Sequence, residues 1–232
     1  LKVLMPVGPD HRPLVDYVLA RLAAAGCQDV VLVVPPDHGE LAAHLAAHPP
    51  ARLDVRYAVQ PLANGTAGAV AAAAPLVLAP ACLVVNGDNL YPVEALRTLI
   101  ALDTCGMAVF TRQALEHQSG FPAARVAAFA SVEHDPEEWL TGLCEKPPVD
   151  AIAPSTLMSV NLWRMDQAML AACRDVARSP RGEFELPDAV MLAVARGTRV
   201  RVVVVTGVVL DLTTAADVAV VSRTLAEAES RA

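Results

Sequence analysis

Apolar and polar positions along the first hundred residues follow two alternating periods. Residues 12–26 repeat apolar side chains every three or four positions, which predicts a helix that ends at Gly26. The apolar run at 30–34 is continuous and β-branched, as in strands buried on both faces of a parallel sheet. The alternation continues with a helix at 39–47, a strand at 54–59, a helix from Thr66 and a strand ending at Asn86. This order predicts an α/β fold with a doubly wound, mostly parallel sheet.

The second half of the chain is less regular. Short β-like runs at 107–110, 125–130 and 156–163 predict a smaller, β-rich antiparallel lobe. Two further strands and an amphipathic helix close the sequence. We therefore predict one domain over 1–232, with approximate lobes at 1–106, 107–198 and 199–232.

The segment LVVNGDNLYP places a carboxylate, Asp88, directly after a buried strand. Asn86-Gly87 is a strong hairpin signal, but a hairpin needs a second strand after the turn. The following residues, YPVEALRTLIAL, instead have helical spacing. Asp88 is therefore expected just beyond the carboxyl end of a parallel strand, where open α/β sheets bind their ligands.

A second strand, VVLD, also ends in a lone carboxylate, Asp211. Two strand-end aspartates that are distant in sequence could converge on one hard cation, because Mg²⁺ takes oxygen ligands and is usually held by one or two carboxylates plus phosphates. An alternative is that Asp211 caps the following helix together with Thr213 and Thr214. Both interpretations remain open from the sequence.

Charge and composition exclude several classes of partner. The net charge is −7 without a run of Lys or Arg, so we expect no nucleic-acid partner. The uncharged stretch 61–86 is interrupted by Pro75 and Pro80, so we expect no membrane span. The five cysteines are scattered and form no C-x-x-C pair, which predicts a reducing, cytoplasmic location. His44 and His48 share a helical face but have no evident third metal ligand.

Several separated motifs together resemble the sugar-1-phosphate nucleotidylyltransferases of the glucose-1-phosphate thymidylyltransferase type. The resemblance spans almost the whole chain in the family's order. It rests on these segments: LKVLMPV, RPLVDYVLARLAAAG, QPLANGTAGAV, NGDNLY, CEKPP, RGEFELPDAV and VLDLTTAADV.

The resemblance implies a Rossmann-like nucleotidyltransferase fold and a reaction between a nucleoside triphosphate and a sugar 1-phosphate. The products of this reaction would be a nucleotide-sugar and pyrophosphate. The resemblance also implies a Mg²⁺ site at Asp88 and Asp211, with Lys2, Asp88 and Lys146 as the catalytic residues. The substrate-binding residues that it implies are Gln60, Gly65, Thr66, Asn89, Glu145 and Arg181.

Each of these residues also has a structural interpretation. Glu145 and Lys146 could form an exposed pair, Arg181 could be a solvated loop charge, and Gln60 could end a strand. Thr66 could cap the first turn of its own helix. These interpretations remain open beside the functional ones.

The sequence departs from the family pattern in several places. The Gly-rich phosphate loop and its preceding strand are absent, and Leu1 stands where that loop should end, so we expect an upstream segment to supply them. Ala124 and Arg125 occupy a position where the family has a glycine-containing sugar contact. Val209 and Thr213 replace an aromatic residue and a glycine.

Other functions remain open from the sequence. One is a cytidylyltransferase for a phosphorylated alcohol such as phosphocholine. Another is a catalytically inactive module that binds nucleotide-sugars, and a third is a glycosyltransferase that shares the sheet and the metal site. A homo-oligomer is possible in each case.

Overall fold

The structure is a computed structural model that describes residues 1–148, 151–214 and 216–229. Its first long helix follows the predicted pattern, because Leu14, Val18 and Leu22 are all buried. That helix ends at Gly26, whose φ of 103° is a left-handed conformation that glycine adopts without strain. The α-helices are α1 (Leu14–Ala25), α2 (Gly39–Ala47), α3 (Thr66–Ala73), α4 (Val93–Ile100), α5 (Arg112–His117), α6 (Ala123–Val126), α7 (Gln167–Asp175), α8 (Leu186–Ala195) and α9 (Asp217–Glu229).

The strands of the first half agree closely with the predicted alternation. They are joined by helices α2 and α3, as in βαβ units. The strands are β1 (Pro6–Val7), β2 (Arg12–Pro13), β3 (Asp29–Val34), β4 (Asp54–Val59), β5 (Ala81–Val84), β6 (Asn89–Leu90), β7 (Cys105–Thr111), β8 (Ala130–His134), β9 (Leu140–Cys144), β10 (Leu157–Asp166), β11 (Val200–Val204) and β12 (Leu210–Asp211).

The largest sheet is mixed. Its order is β11-β7-β10-β8-β9, and β5 also pairs with β10. The β7–β11 ladder is parallel, as is the separate β3–β4 pair, whereas β10 is antiparallel to β5, β7 and β8. The register of β10 shifts between Ser159 and Trp163, which allows it to pair with several strands along its ten residues. The α/β class is therefore confirmed, with a mixed central sheet.

Helices cover both faces of this sheet. Along β7, Met107 and Val109 belong to one buried cluster, while Ala108 and Phe110 belong to the other. Successive side chains of a strand point to opposite faces, so β7 separates two hydrophobic cores. The first core includes α1 and α4, and the second includes α7 and α8. This double burial explains the continuous apolar runs in the sequence.

Two details of the second half differ from the prediction. Residues 125–130 do not form a strand over their whole length, since α6 occupies Ala123–Val126 and β8 begins only at Ala130. Pro122 occupies the N-cap position of this short helix, and the alanines that follow favour helical backbone over a strand. The main sheet also takes strands from all three proposed lobes, so the lobe boundaries remain a prediction.

The predicted absence of a hairpin at Asn86-Gly87 is confirmed. The two-residue strand β6 pairs with β12 rather than with β5, and α4 follows it at Val93.

Within the described ranges, none of the helices has the length and apolar character needed to cross a membrane. The uncharged stretch 61–86 instead contains the short helix α3 and strand β5.

Candidate active site

The two strand-end aspartates lie on neighbouring backbone segments. Strand β6 pairs antiparallel with β12, which places Asp211 opposite Asn89. The backbone N–H of Leu212 donates to the carbonyl oxygen of Asp88 at 3.0 Å. The fold thus brings together two residues that are separated by more than half of the chain. We refer to Asp88 and Asp211 as the acidic pair.

The surroundings of the acidic pair are electrostatically asymmetric. Lys2 donates from Nζ to Oδ2 of Asp88 at 2.9 Å. Asp211 is buried, and burial raises its pKa above the usual value, as do the nearby charges of Asp88 and Asp217. The hydroxyl of Thr213 and the charge of Arg125 oppose this rise. A cation placed between the two carboxylates would relieve their mutual repulsion.

The donor set of the acidic pair suits a hard cation. Carboxylate oxygens are preferred Mg²⁺ ligands, and Mg²⁺ commonly completes its shell with water and substrate phosphates. The part of the chain that the structure describes contains no group of three or more His, Cys, Asp or Glu residues able to hold a metal. A metal at Asp88 and Asp211 therefore requires ligands from a bound substrate or from water.

The alternative role of Asp211 as a helix cap gains no support. Both of its carboxylate oxygens accept from the hydroxyl of Thr213, at 2.9 and 3.0 Å. At the start of α9 the acceptor is Asp217, whose Oδ2 accepts from the backbone N–H of Thr214 at 2.6 Å and from its hydroxyl at 3.0 Å.

Arg125 contacts this site, although sequence reasoning did not assign it a role. Its guanidinium donates to both carboxylate oxygens of Asp217, at 3.0 and 2.8 Å, and its Nε lies 4.0 Å from Oδ2 of Asp211. The bidentate geometry fixes the guanidinium beside the acidic pair. The signal in the sequence was that Arg125 departs from the family pattern. That departure does not show which side chains Arg125 contacts.

Tyr91 is a second residue that the sequence did not indicate. It is buried, and its hydroxyl donates to the carbonyl oxygen of Val160 at 2.7 Å while lying 3.2 Å from that of Asn161. The same oxygen accepts from the backbone N–H of Asn86 at 3.4 Å. Burial raises the pKa of this phenol, so it stays protonated. Tyr91 thereby connects the loop before Asp88 to the irregular part of β10.

A second group of predicted residues follows β4. Nε2 of Gln60 donates to the side-chain oxygen of Asn64 at 2.8 Å and to the carbonyl oxygen of Gly65 at 3.2 Å. Gly65 has a φ of 111°, and a Cβ placed there would lie 2.4 Å from the carbonyl oxygen of Phe184. Glycine is therefore required for close approach to another segment of the protein. A contact between Gly65 and a nucleotide base remains a prediction.

Thr66 and Asn89 have surroundings that the sequence did not predict. The Thr66 hydroxyl accepts from the backbone N–H of Leu186 at 3.0 Å, at the start of α8. The interpretation that Thr66 caps its own helix is wrong, because the cap position of α3 is Gly65 and its first turn has no side-chain acceptor. Asn89 is only 3% exposed, so a substrate contact by its side chain remains a prediction that this burial does not favour.

A third group surrounds Arg181. Its Nε and Nη2 donate to Oε1 of Glu185 at 3.0 and 2.8 Å, and Ser179 donates to the same oxygen at 3.1 Å. Glu185 is 8% exposed and was not assigned a role from the sequence, although it lies within the RGEFELPDAV motif. Arg181 is exposed in a loop, and the buried carboxylate of Glu185 holds its guanidinium, so the structure is compatible with both the solvated-loop and the substrate-binding interpretations.

Glu145 and Lys146 lie near this group. Loss of water contact raises the pKa of Glu145, and the charge of Arg181 opposes that rise. Lys146 is exposed and has a φ of 47°, a left-handed conformation that is uncommon outside glycine. Among the described residues, Glu145 and Lys146 do not form an ion pair with each other. We call Glu145, Lys146, Arg181 and Glu185 the Arg181 cluster.

The backbone connects the last two groups. The N–H of Phe184 donates to the carbonyl oxygen of Asn64 at 2.8 Å, and the N–H of Ala67 donates to the carbonyl oxygen of Phe184 at 2.9 Å. Helix α3 then leads from β4 to β5. No described hydrogen bond or ion pair joins the acidic pair to the Arg181 cluster, so a ligand would have to span them.

Comparison with known proteins now identifies the family. Residues 1–226 match the family model described as nucleotidyl transferase. The chain belongs to this family. The match covers the acidic pair, the Gln60 loop and the Arg181 cluster alike, so all three groups lie within a nucleotidyl transferase domain.

Curated relatives of this nucleotidyl transferase have moderate sequence identity. It is 29% identical over 217 residues to a glucose-1-phosphate thymidylyltransferase from Streptomyces antibioticus, covering 94% of this chain and 58% of the relative. It is 28% identical over 192 residues to the protein of that name from Mycobacterium tuberculosis (strain ATCC 25618 / H37Rv), covering 81% and 61%. The chain thus spans about 60% of the length of these relatives.

Solved structures confirm the fold. A UDP-glucose pyrophosphorylase in complex with UDP-glucose superposes with a TM-score of 0.77 at 16% identity, covering 96% of this chain and 89% of that chain. An apo structure of a UDP-glucose pyrophosphorylase gives 0.80 at 15% identity, covering 100% and 91%.

Proposed function

We propose that this nucleotidyl transferase moves a nucleotidyl group from a nucleoside triphosphate to a sugar 1-phosphate. A phosphate oxygen of the sugar 1-phosphate attacks the α-phosphorus, the bond to the β-phosphate oxygen breaks, and pyrophosphate leaves. The position of Asp88 and Asp211 on neighbouring, hydrogen-bonded backbone segments carries this proposal. The names of the curated relatives support the same reaction class.

The acidic pair is the proposed Mg²⁺ site. When bound there, Mg²⁺ would withdraw charge from the α-phosphate and align the two reacting groups. Phosphoryl transfer depends mainly on such positioning and charge neutralisation. Lys2, paired with Asp88 but 43% exposed, could exchange this carboxylate for a triphosphate oxygen.

The Arg181 cluster would bind the sugar 1-phosphate. Glu185 fixes the guanidinium of Arg181 through Nε and Nη2, which leaves Nη1 without a hydrogen bond to the described residues. That group can donate to a phosphate without first losing an internal bond. Lys146 adds a positive charge, and the carboxylate of Glu145 would accept hydrogen bonds from sugar hydroxyls.

The Gln60 loop would contact the base. Its side-chain amide offers both a donor and an acceptor, which suits the edge of a pyrimidine. Since Nε2 is engaged by Asn64 and Gly65, the amide oxygen is the group with free capacity among the described contacts. We also propose a cytoplasmic location, supported by five free cysteines.

Asp88→Asn tests the proposal. This change removes a formal charge from the acidic pair with little change in volume, so Mg²⁺-dependent pyrophosphate release from a nucleoside triphosphate and glucose 1-phosphate should fall by at least about 100-fold. Asp54→Asn is the matched control, because Asp54 is exposed at the opposite end of β4 and should keep full activity. Circular dichroism establishes that both variants fold.

Three results would contradict the proposal. One is Mg²⁺-dependent turnover that survives in Asp88→Asn. Another is turnover of CTP with phosphocholine but not of any hexose 1-phosphate. The third is nucleotide-sugar binding by calorimetry without pyrophosphate release under any substrate pair.

A further inference from the structure

A separate cavity of about 590 Å³ lies at one end of the strands of the main sheet. Strand β5 begins at Ala81, which lines this cavity, and leads towards Asp88. Cys105, at the start of β7, and Arg199, just before β11, line it as well. The cavity therefore lies at the end of these strands opposite to the acidic pair, and we call it the basal pocket.

Three arginines from different elements line the basal pocket. Arg164 comes from β10, Arg196 follows α8, and Arg199 precedes β11. Among the described residues, the lining also includes two carboxylates, Asp103 and Asp166. The lining thus carries one more positive than negative charge, in a protein whose net charge is −7.

Two of these arginines have weak, exchangeable partners outside the lining. Arg196 pairs with Asp175 at 2.5 Å, and both side chains are 50% exposed. Arg199 pairs with Glu137 at 3.4 Å in a still more exposed arrangement. Exposed ion pairs contribute at most about 1 kcal/mol. The guanidinium of Arg196 can therefore turn towards an anion in the pocket at small cost. Arg199 would also have to leave the ring of Trp139, whose centroid lies 3.8 Å from its guanidinium carbon.

Arg164 gives the strongest indication of a ligand. Its side chain is half-buried, and Nε donates to the carbonyl oxygen of Thr104 at 3.1 Å. Its two terminal amino groups have no hydrogen bond or ion pair to the described residues. A guanidinium fork that has no acidic partner and lies beside a cavity is suited to an external anion.

Among the described residues, neither carboxylate of the lining forms an ion pair with Arg164. Oδ1 of Asp166 accepts from the backbone N–H of Met169 and caps α7, so it is committed to the fold. Asp103 is exposed and screened by water. The hydroxyls of Thr104 and Thr198 add neutral donors to the lining.

We propose that the basal pocket binds a small phosphate monoester. The guanidinium fork of Arg164 would hold two phosphate oxygens, and Arg196 and Arg199 would close on the remaining charge. The cavity volume lies within the range of about 300 to 1,000 Å³ that is usual for small-molecule sites, so it can hold the alcohol part of an ester as well. This proposal does not depend on the reaction at the acidic pair.

Amide NMR shifts test the site with two probes, inorganic phosphate and glucose 6-phosphate. We expect saturable shifts at Thr104, Gly197 and Thr198, with tighter binding of the ester than of inorganic phosphate. Arg164→Gln should weaken the apparent affinity by about 10-fold or more, since a charged bidentate contact is lost. Arg223→Gln, which removes an exposed charge on α9, should leave the affinity unchanged.

A second variant guards against misfolding of the first. If the amide spectrum of Arg164→Gln differs globally from that of the parent, Arg196→Gln should still weaken binding, because its charge is exposed. The proposal is overturned if shifts occur only near Gly87 and Asp88, if neither variant changes the affinity, or if inorganic phosphate binds as tightly as the ester.

Discussion

Gly65 is a position at which a single added methyl group should be strongly destabilising, because the contacts are to backbone atoms. Its φ and ψ of 111° and 170° belong to a region that essentially only glycine occupies. A Cβ would lie 2.4 Å from the carbonyl oxygen of Phe184 and 2.7 Å from its nitrogen. Because these are backbone atoms, Gly65→Ala forces the Phe184 segment away from the Gln60 loop.

The expected cost follows from two contributions. Backbone strain at such a position costs about 1 to 3 kcal/mol. Displacement of Phe184 also weakens its hydrogen bonds with Asn64 and Ala67, each of which contributes about 1 kcal/mol. We therefore expect Gly65→Ala to reduce the free energy of unfolding by about 3 to 5 kcal/mol. Since Arg181 and Glu185 flank the displaced segment, KM for the proposed sugar 1-phosphate substrate should rise as well.

Urea denaturation measures this effect, and two other glycines separate its causes. Gly120 has a φ of 72°, and no heavy atom lies within 4 Å of the position that a Cβ would take, so Gly120→Ala should cost only about 1 kcal/mol of strain. Gly39 begins α2 in open space with ordinary backbone, and Gly39→Ala should be neutral or slightly stabilising. An unfolding free energy of Gly65→Ala within about 0.5 kcal/mol of the parent, roughly the scatter of surface substitutions, would contradict the predicted clash. So would unfolding of Gly65→Ala at a urea concentration no lower than that of Gly120→Ala.

Two further predictions concern titratable groups. Iodoacetamide at pH 8 should modify the exposed Cys144 well before Cys173. Burial raises the pKa of Cys173 to about 12, so that about one Cys173 thiol in 10,000 is ionised at this pH. Peptide mass spectrometry gives the two modification rates, and equal rates would contradict the burial of Cys173. The hydrogen bond from Arg125 lowers the pKa of Asp217 to about 2, so the contribution of this pair is present above about pH 4 and lost as the pH falls towards 2. Asp217→Asn should therefore be less stable than the parent by about 1 kcal/mol at neutral pH, and the difference in unfolding free energy should shrink on acidification. A constant difference down to about pH 2.5 would exclude this linkage.

Local patterns were sufficient for the first half of the fold. The helical period of the apolar residues in α1 reflects burial of one face of the helix. The β-branched run in β3 reflects burial of both faces of the strand. Both patterns can be read from residues that are close together in the sequence. The position of Asp88 after a strand followed from the helical spacing of α4 in the same way. At 123–126 the pattern was misleading, because a short segment can satisfy either period.

The candidate site depends on contacts that such local patterns do not predict. Sequence motifs named Asp88, Asp211, Glu145 and Arg181, but they could not show that Glu185 is buried beneath Arg181. The requirement for glycine at 65 came from the backbone of Phe184, more than a hundred residues later in the chain. Contacts of this kind depend on the path of the whole chain, which no local window contains.

The sequence by itself thus determined the alternation of helices and strands and the chemical types available at the ends of the strands. Only the tertiary structure decided which of these side chains meet, that Arg125 joins the acidic pair, and that three arginines surround a second cavity. The physical reason is that the spacing of buried side chains along a helix or strand is visible in a short stretch of sequence. Electrostatic and hydrogen-bond partners instead act over a few ångströms between residues that are distant in sequence.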